Sequence, residues 1–190
     1  ILGMEPETEH NPYVELLKRG IYELAEEIRF QRNISQAENG NLELVFSNLS
    51  SLDLLTCMKE DFIPYKSQFN KDVEIDEESV NVHFKSDKVL VNRILTNLIK
   101  NALEAINNGE TVTIGAKSGS DYVVFWVKNN VVLPEKIKSE IFNRSFSTKG
   151  AGRGIGTYSV KLFTEKYLNG KAYFISEQNK GTIFYVEFPV

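Results

Sequence analysis

The sequence predicts an α+β fold, a two-layer sandwich in which one mixed β-sheet carries helices on one face, preceded by a long N-terminal helix. Alternating apolar residues indicate two pairs of strands in the second half of the chain, and apolar residues at helical spacing indicate helices before and between those pairs. With 190 residues, 42% of them hydrophobic and 25% charged, the chain is large enough for one domain with a small appendage and too small for two full domains.

The first predicted element is a helix over residues 11 to 38. Pro12 suits its first turn, and no other proline interrupts it. Its apolar positions follow the spacing of a heptad seam and are Leu17, Ile21, Leu24 and Ile28. Such a stripe packs against partner helices, and the pair Asn39-Gly40 then ends the helix.

The domain proper begins near residue 41, and strands alternate with helices in its first half. The predicted elements are a strand through Leu42, Leu44 and Phe46, a helix over residues 51 to 67, a strand through Val73 and Ile75, a strand through Val80, Val82 and Phe84, and a helix over residues 87 to 107. The last helix has the clearest buried side, which is formed by Val91, Ile94, Leu95, Leu98, Ala102 and Ala105.

The second half of the domain contains the paired strands. The first pair is predicted over residues 111 to 116 and 122 to 127, and the second pair over residues 171 to 176 and 181 to 188. Between the pairs lie a helical turn over residues 134 to 142, a polar, glycine-rich run over residues 143 to 156, and a helix over residues 157 to 168.

Composition excludes several classes of protein. The longest stretch without Asp, Glu, Lys or Arg has nine residues, from Leu44 to Leu52, whereas a membrane span needs roughly 20 apolar residues. We therefore expect no membrane contact by this fragment. The lone Cys57 cannot form an internal disulfide, so we expect it to be buried and the chain to be cytoplasmic.

Charge is divided unevenly along the chain. Residues 1 to 80 carry 7 basic and 17 acidic side chains, whereas residues 81 to 190 carry 15 basic and 9 acidic ones. The second part therefore favours an anionic ligand, or is simply a solvated surface. No nucleic-acid partner is expected, because the basic residues near the glycine-rich run have no aromatic residues among them.

The segment from Asn97 to Ala105 is the first candidate for chemistry. Asn97, Asn101 and Glu104 fall on one helical face, beside an apolar face. An amide oxygen in such a place can ligate Mg²⁺, which prefers oxygen ligands and keeps waters for contact with phosphates. The alternative is a helix with ordinary exposed amides.

The second candidate is the glycine run from Gly150 to Gly156, which enters a predicted helix. Glycines let the backbone approach phosphate oxygens, and a helix N-terminus favours negative charge. Arg144, Lys149 and Arg153 surround the run. The alternative is a flexible surface loop.

Together, these segments resemble the ATP-binding catalytic domain of bacterial two-component sensor histidine kinases, a branch of the GHKL ATPases, whose fold is the Bergerat sandwich. Residues 97 to 105 resemble the N box, residues 141 to 149 the F box with its Ser-Thr-Lys extension, residues 152 to 156 the G2 box, and residues 181 to 184 the Gly-Thr-x-Phe near the domain's end. The resemblance covers about residues 41 to 190. Residues 13 to 42 resemble the second helix of the family's dimerisation and phosphoacceptor hairpin.

The resemblance implies roles for individual residues. Asn97, Lys100 and Asn101 would form the catalytic site, with Asn101 as ligand of the Mg²⁺ that accompanies ATP. The residues expected to contact the phosphates from the lid are Lys149, Gly152, Arg153, Gly154, Ile155 and Gly156. Thr182 would close the adenine pocket.

The chain departs from the family pattern at the G1 box. Where the family has Asp-x-Gly-x-Gly, this chain has Asn129-Asn130-Val131-Val132-Leu133. Asn129 can accept a hydrogen bond from the adenine amino group through its amide oxygen, although a neutral acceptor is weaker by about 1 kcal/mol. Val131 removes a position that tolerates positive φ. Either this kinase uses Asn productively, or it is a nucleotide-poor pseudokinase.

The phosphoacceptor histidine is the second departure. His10 is followed by Asn-Pro, and His83 falls on the polar side of a strand, so neither resembles the acceptor. We therefore expect a fragment of a longer sensor kinase, which is either soluble or anchored in a membrane. Residues 1 to 40 would be the second hairpin helix and residues 41 to 190 the catalytic domain.

Three hypotheses follow from the resemblance. The leading one is a protein histidine kinase that binds ATP and Mg²⁺ and transfers the γ-phosphoryl group to a histidine outside this fragment. Its partners would be a second copy, joined through the hairpin helices, and the receiver domain of a response regulator. The others are a degenerate signalling module without nucleotide, and a GHKL ATPase of the chaperone or mismatch-repair type.

Overall fold

The computed structural model describes residues 12–144 and 155–190. The chain divides into two compact units, Ile1–Leu42 and Glu43–Val190. Among the described residues, no helix is both long and apolar enough to cross a membrane.

The first unit contains helix α1 (Pro12–Glu38), as the sequence predicts. The helix ends where the Asn39 N–H donates to the Ser35 carbonyl (3.2 Å) and Gly40 adopts a φ of 76°, a conformation that glycine adopts without strain. Near its end, Phe30, Ile34 and Ala37 are buried.

The second unit contains seven strands, five α-helices and one π-helix among its described residues. In chain order they are β1 (Phe46–Ser50), α2 (Ser51–Asp61), α3 (Ile63–Phe69), β2 (Asp72–Ile75), β3 (His83–Asp87), α4 (Lys88–Ala105), β4 (Thr111–Ser118), β5 (Tyr122–Asn129), α5 (Glu135–Lys138), α6 (Gly156–Lys161), the π-helix (Leu162–Tyr167), β6 (Lys171–Glu177) and β7 (Gly181–Pro189).

Five of these strands form a mixed sheet in the order β2-β4-β5-β7-β6, while β1 and β3 form a separate antiparallel ribbon. Within the sheet only the β2–β4 pair is parallel. Helix α2 packs on β2 and β4, α4 packs on β4 and β5, and α6 with the π-helix packs on β6 and β7. This is the predicted mixed sheet with a helical layer.

Alternation along the strands determines which side chains enter the core. Phe125 of β5 and Phe188 of β7 are fully buried. Phe84 of β3 stacks on Phe188, with ring centroids 6.0 Å apart and planes 8° from parallel. The ribbon therefore contributes an aromatic ring to the core of the main sheet.

The predicted strand through Leu42, Leu44 and Phe46 is wrong in position, because β1 only begins at Phe46. The N–H of Val45 donates to a carboxylate oxygen of Asp87 (2.7 Å) instead of a strand carbonyl. The ladder therefore starts one residue later, at the Phe46–Asp87 pair.

The predicted helix over residues 51 to 67 is two helices that meet at Phe62. Pro64 lies in the first turn of α3, where its missing N–H costs nothing, whereas in a continuous helix it would remove a hydrogen bond. Cys57, predicted to be buried, is exposed on α2.

Candidate functional site

Helix α4 presents Asn97 and Asn101 at the edge of its buried face. The carboxylate of Asp87 caps the helix by accepting from the Leu90 N–H (3.0 Å), which fixes where the first turn starts. Leu98 and Ala102, one residue after each asparagine, are buried against the sheet. Both asparagines are therefore half-buried, one turn apart and on the same side of the helix.

Asn97 is bonded to the helix that follows the glycine run. Its Nδ2 donates to the Ser159 hydroxyl (3.1 Å), and that hydroxyl donates to the Gly156 carbonyl (2.7 Å). Ser159 is completely buried. The link therefore holds the first turn of α6 against α4.

Asn101 faces Gly156 directly. A Cβ added at Gly156 would lie 3.5 Å from Asn101 Nδ2 and 3.8 Å from Oδ1, so the glycine leaves the amide uncovered. Within the described part of the chain, the Asn101 side chain has no hydrogen-bond partner. Its amide oxygen is therefore available to a ligand.

This donor set fits a hard cation that binds together with a ligand. Described His, Cys, Asp and Glu residues form no group of three or more that would hold a metal alone. A single amide oxygen is the kind of ligand that Mg²⁺ accepts when phosphates and waters supply the rest. Asn101 therefore fits Mg²⁺ bound with a phosphorylated molecule.

Four of the predicted phosphate contacts lie outside the described residues, namely Lys149, Gly152, Arg153 and Gly154. Described residues on either side of this segment are hydrogen-bonded to each other, since the Thr157 hydroxyl donates to the Ile141 carbonyl. Lys100 is exposed on α4. Ile155 immediately precedes Gly156, at the start of α6.

The second group of predicted residues lies at the ends of β5 and β7. Asn129 and Thr182 are directly opposite each other in the ladder, and their exposed fractions are 6% and 1%. Asn129 Oδ1 accepts from the Val131 N–H (2.9 Å). No hydrogen bond joins this pair to Asn97 or Asn101 among the described residues.

Thr182 belongs to a chain of hydrogen bonds that fixes the segment after β5. Its hydroxyl donates to the Val131 carbonyl (2.7 Å) and lies 2.8 Å from the Ser176 hydroxyl. The Leu133 N–H donates to Ser176 (2.8 Å). Because the Thr182 proton goes to Val131, Ser176 must donate to Thr182, and each hydroxyl donates once and accepts once.

Glu110 fixes the next residue of the altered G1 segment. Its carboxylate accepts from the Asn107 N–H and from Asn130 Nδ2, both at 2.6 Å. These hydrogen bonds, led by that of Asn107, lower the pKa of Glu110. Val131 is not among the described non-glycine residues with positive φ, which are Asn70 and Asn169, so the segment avoids the conformation that glycine would supply.

Sequence reasoning missed Ser159 and Ser176. Ser176 had a readable signal, because the hairpin register that pairs β6 with β7 places it opposite Thr182. No signal in the sequence pointed to Ser159, because its partner Asn97 is 62 residues away in the chain.

Comparison with known proteins identifies the architecture. A family model described as "Histidine kinase-, DNA gyrase B-, and HSP90-like ATPase" matches residues 86–190. The sensor protein DegM of Bacillus sp. (strain B21-2) is 33% identical over 101 residues, which cover 53% of this chain and 27% of DegM. The chain thus spans well under half of this curated relative.

Solved structures show the same fold. The catalytic domain of histidine kinase ThkA superposes with a TM-score of 0.64 and 26% identity, covering 77% of this chain and 96% of that domain. ThkA in complex with response regulator protein TrrA superposes with a TM-score of 0.67 and 19% identity, covering 98% of this chain and 53% of ThkA.

Proposed function

Because the chain belongs to the family of histidine kinase-, DNA gyrase B- and HSP90-like ATPases, we propose that it is the catalytic part of a sensor histidine kinase. It binds ATP and transfers the γ-phosphoryl group to a histidine on a hairpin helix outside this sequence. Family membership supports ATP as the ligand, and the relatives named as sensor kinases support the histidine as acceptor.

The observation that carries the proposal is the contact between α4 and the start of α6. Asn97 is bonded to Ser159, and the free amide of Asn101 faces Gly156. Backbone at a glycine beside an uncommitted amide oxygen suits a phosphate with its cation. We therefore propose Asn97 and Asn101 as catalytic residues, together with the neighbouring Lys100.

Phosphoryl transfer depends on positioning and charge stabilisation more than on covalent participation of the protein. Asn101 would hold Mg²⁺, which neutralises charge on the phosphates when bound. Asn97 and Ser159 keep α6 against α4. Gly156 keeps the approach to Asn101 open, because a side chain there would contact the amide.

The remaining assignments complete the proposed site. The lid residues Lys149, Gly152, Arg153, Gly154 and Ile155 would contact the phosphates, with the two cations offsetting their charge. Asn129 and Thr182 would contact the base, because both are buried side by side where β5 and β7 end.

The proposed partners are a second copy of the chain and a response regulator in the cytoplasm, where ATP is supplied. The complex of ThkA with TrrA supports the response regulator. The exposed heptad seam of α1 supports the homodimer, since Leu17, Ile21, Leu24 and Ile28 have exposed fractions between 61% and 68%.

Phosphoryl transfer tests the proposal directly. The chain is incubated with γ-labelled ATP, Mg²⁺ and a separately supplied hairpin that carries an acceptor histidine. We expect label on the hairpin, and we expect Asn101→Ala to abolish transfer and weaken nucleotide binding in Mg²⁺ at least about tenfold. Asn48→Ala, at an exposed site on β1, should change neither.

Two results would overturn the proposal. Nucleotide binding without transfer to any histidine would indicate an ATPase of another branch of the family. Absence of heat on titration with ATP or ADP, by a folded chain, would indicate a signalling module without nucleotide.

A further inference from the structure

Asn129 is mostly buried, but it carries an uncommitted hydrogen-bond donor that is not itself fully buried. The residue is 94% buried, given its exposed fraction of 6%, and its Oδ1 is bonded to the Val131 N–H. No described residue accepts from its Nδ2. The Val131 N–H needs an acceptor, so the amide cannot be turned around without facing one donor with another.

The neighbouring hydroxyl groups have no proton left to donate to a ligand. Thr182 gives its proton to the Val131 carbonyl, and Ser176 gives its proton to Thr182. Among these three side chains, Asn129 Nδ2 is therefore the donor without a described acceptor. Among the described residues, the fully buried side-chain atoms without a partner are Asn92 Oδ1 and Thr164 Oγ1, so Asn129 Nδ2 is accessible. It can therefore donate to an acceptor on a ligand.

A carboxylate in the same position would behave differently. One of its oxygens would accept from the Val131 N–H, and the other would remain an acceptor. Asparagine keeps the first hydrogen bond and replaces the second acceptor with a donor. The exchange therefore reverses the polarity that the site presents to the base.

Purine bases differ at the matching group. Adenine carries a 6-amino group, which donates, whereas hypoxanthine and guanine carry a 6-oxo group, which accepts. We infer that Asn129 makes this site bind 6-oxopurine nucleoside triphosphates at least as tightly as ATP. The inference rests on the proposed function, because it requires that Asn129 faces the base of a bound nucleotide.

Titration calorimetry with ITP and ATP, each with Mg²⁺, tests the inference on the whole chain. ITP differs from ATP in the 6-oxo group and the adjacent N1 proton, without the extra amino group of GTP. We expect the wild-type Kd for ITP to equal or fall below that for ATP. Asn129→Asp should move the ratio of the two constants toward ATP by at least about tenfold.

The ratio is the readout because a new negative charge near a triphosphate weakens both nucleotides alike. Asn48→Asp adds the same charge at an exposed site on β1 and should leave the ratio unchanged. If Asn129→Asp does not fold, the wild-type ratio still decides.

Two outcomes would overturn the inference while leaving the proposed function intact. One is a wild-type chain that prefers ATP by about tenfold or more, as would happen if the adenine N1 accepts from Nδ2. The other is a folded Asn129→Asp variant with an unchanged ratio. A chain that binds neither nucleotide would instead overturn the proposed function, and this inference with it.

Discussion

Gly181 determines how closely the start of β7 approaches the end of β5. Its φ is 74°, and a Cβ added there would lie 2.0 Å from the carbonyl oxygen of Asn129. The close approach brings Thr182 opposite Asn129. Glycine is therefore required at this position for two reasons. The backbone has a positive φ, and there is no room for a Cβ.

Gly181→Ala should lower the free energy of unfolding by about 3 kcal/mol or more, because left-handed backbone strain of about 1–2 kcal/mol adds to a backbone clash that no side-chain rotation relieves. Urea unfolding measures the loss. Gly109→Ala is the matched control, since its φ is 88° but its Cβ would meet only Asn70 Nδ2 at 3.8 Å. Equal losses in the two variants would show that the close approach contributes nothing.

Ser159 acts on the site through Asn97. Its removal leaves Asn97 Nδ2 and the Gly156 carbonyl without their shared partner. Ser159→Ala should weaken binding of ATP with Mg²⁺ about three- to tenfold, because the α6 turn beside Asn101 loses one or two hydrogen bonds of about 1 kcal/mol each.

Calorimetry measures that change, and Ser118→Ala is the control. The Ser118 hydroxyl donates to the Gly119 carbonyl in an exposed turn (3.2 Å), away from α4 and α6. A Ser159→Ala variant that unfolds at lower urea but binds nucleotide normally would show a role in stability alone.

At the scale of elements, the sheet face opposite the helices carries a row of aromatic side chains. The row consists of Trp126 on β5, Tyr185 on β7 and Tyr173 on β6, which are in register. Gly115 on β4 lies opposite Trp126. The Trp126 indole lies over Gly115, where an added Cβ would be 2.4 Å from the ring. Tyr173 stacks on Tyr185, with centroids 5.0 Å apart and planes 16° from parallel.

Because of this packing, the stability of the folded protein depends on pH in the alkaline range. Burial, followed by the hydrogen bond to Glu187, raises the pKa of Tyr173 to about 12. A phenol with a raised pKa keeps its proton in the folded state after the unfolded chain has lost it. Stability is therefore fully present below the ordinary pKa of 10.0 and is lost as the pH rises toward 12.

Tyr173→Phe should reduce the loss of stability between about pH 10 and 12, measured by urea unfolding at stepped pH. A residual slope will remain, because burial also raises the pKa of Tyr167 and ion-pair partners raise the pKa values of Lys66 and Lys180. Tyr13→Phe, at an exposed position on α1, should keep the wild-type slope. If Tyr173→Phe keeps it too, Tyr173 does not cause the dependence.

Elements with a local signal were predictable from the sequence, and those set by distant contacts were not. Helix α4 was predictable because its apolar residues recur regularly at helical spacing, and the structure adds Asp87 as its cap. The start of β1 was misplaced because it depends on a hydrogen bond from Val45 to Asp87, 42 residues away. The break before α3 did have a local signal in Pro64, which the helical spacing of the apolar residues obscured.

In the candidate site, too, some features could be predicted from the local sequence and others depend on distant contacts. The shared face of Asn97 and Asn101 follows from helix geometry, and so it was readable from their spacing. The bond from Asn97 to Ser159 depends on how α6 packs, which no local pattern encodes. The free Nδ2 of Asn129 was also unreadable, because only the fold shows that its oxygen is taken by Val131.

At the scale of the whole molecule, the two units differ in how they bury apolar residues. The unit Glu43–Val190 has its own core around Phe125, Phe163 and Phe188, all fully buried. The seam of α1 is instead exposed. An exposed heptad stripe of this kind predicts association with further helices.

Double substitution of the seam should separate association from nucleotide binding. Leu17→Glu with Leu24→Glu places charges on side chains that are 66% and 62% exposed, so it should abolish self-association without unfolding the second unit. Sedimentation at several concentrations measures the association. Glu27→Arg with Arg29→Glu changes two exposed positions that lie about 90° or more around the helix from the seam. This variant retains the seam and the net charge and should associate like the wild type.

A chain limited to residues 43–190 completes the comparison, because it removes the seam altogether. We expect it to unfold cooperatively, to remain monomeric, and to bind ATP with Mg²⁺ with the Kd of the full chain, since Asn97, Asn101, Gly156 and Ser159 all lie within it. Transfer to a supplied hairpin should weaken, because the exposed seam of α1, with which hairpin helices would associate, is absent. Loss of nucleotide binding by a folded 43–190 chain would instead show that the first unit contributes to the nucleotide site.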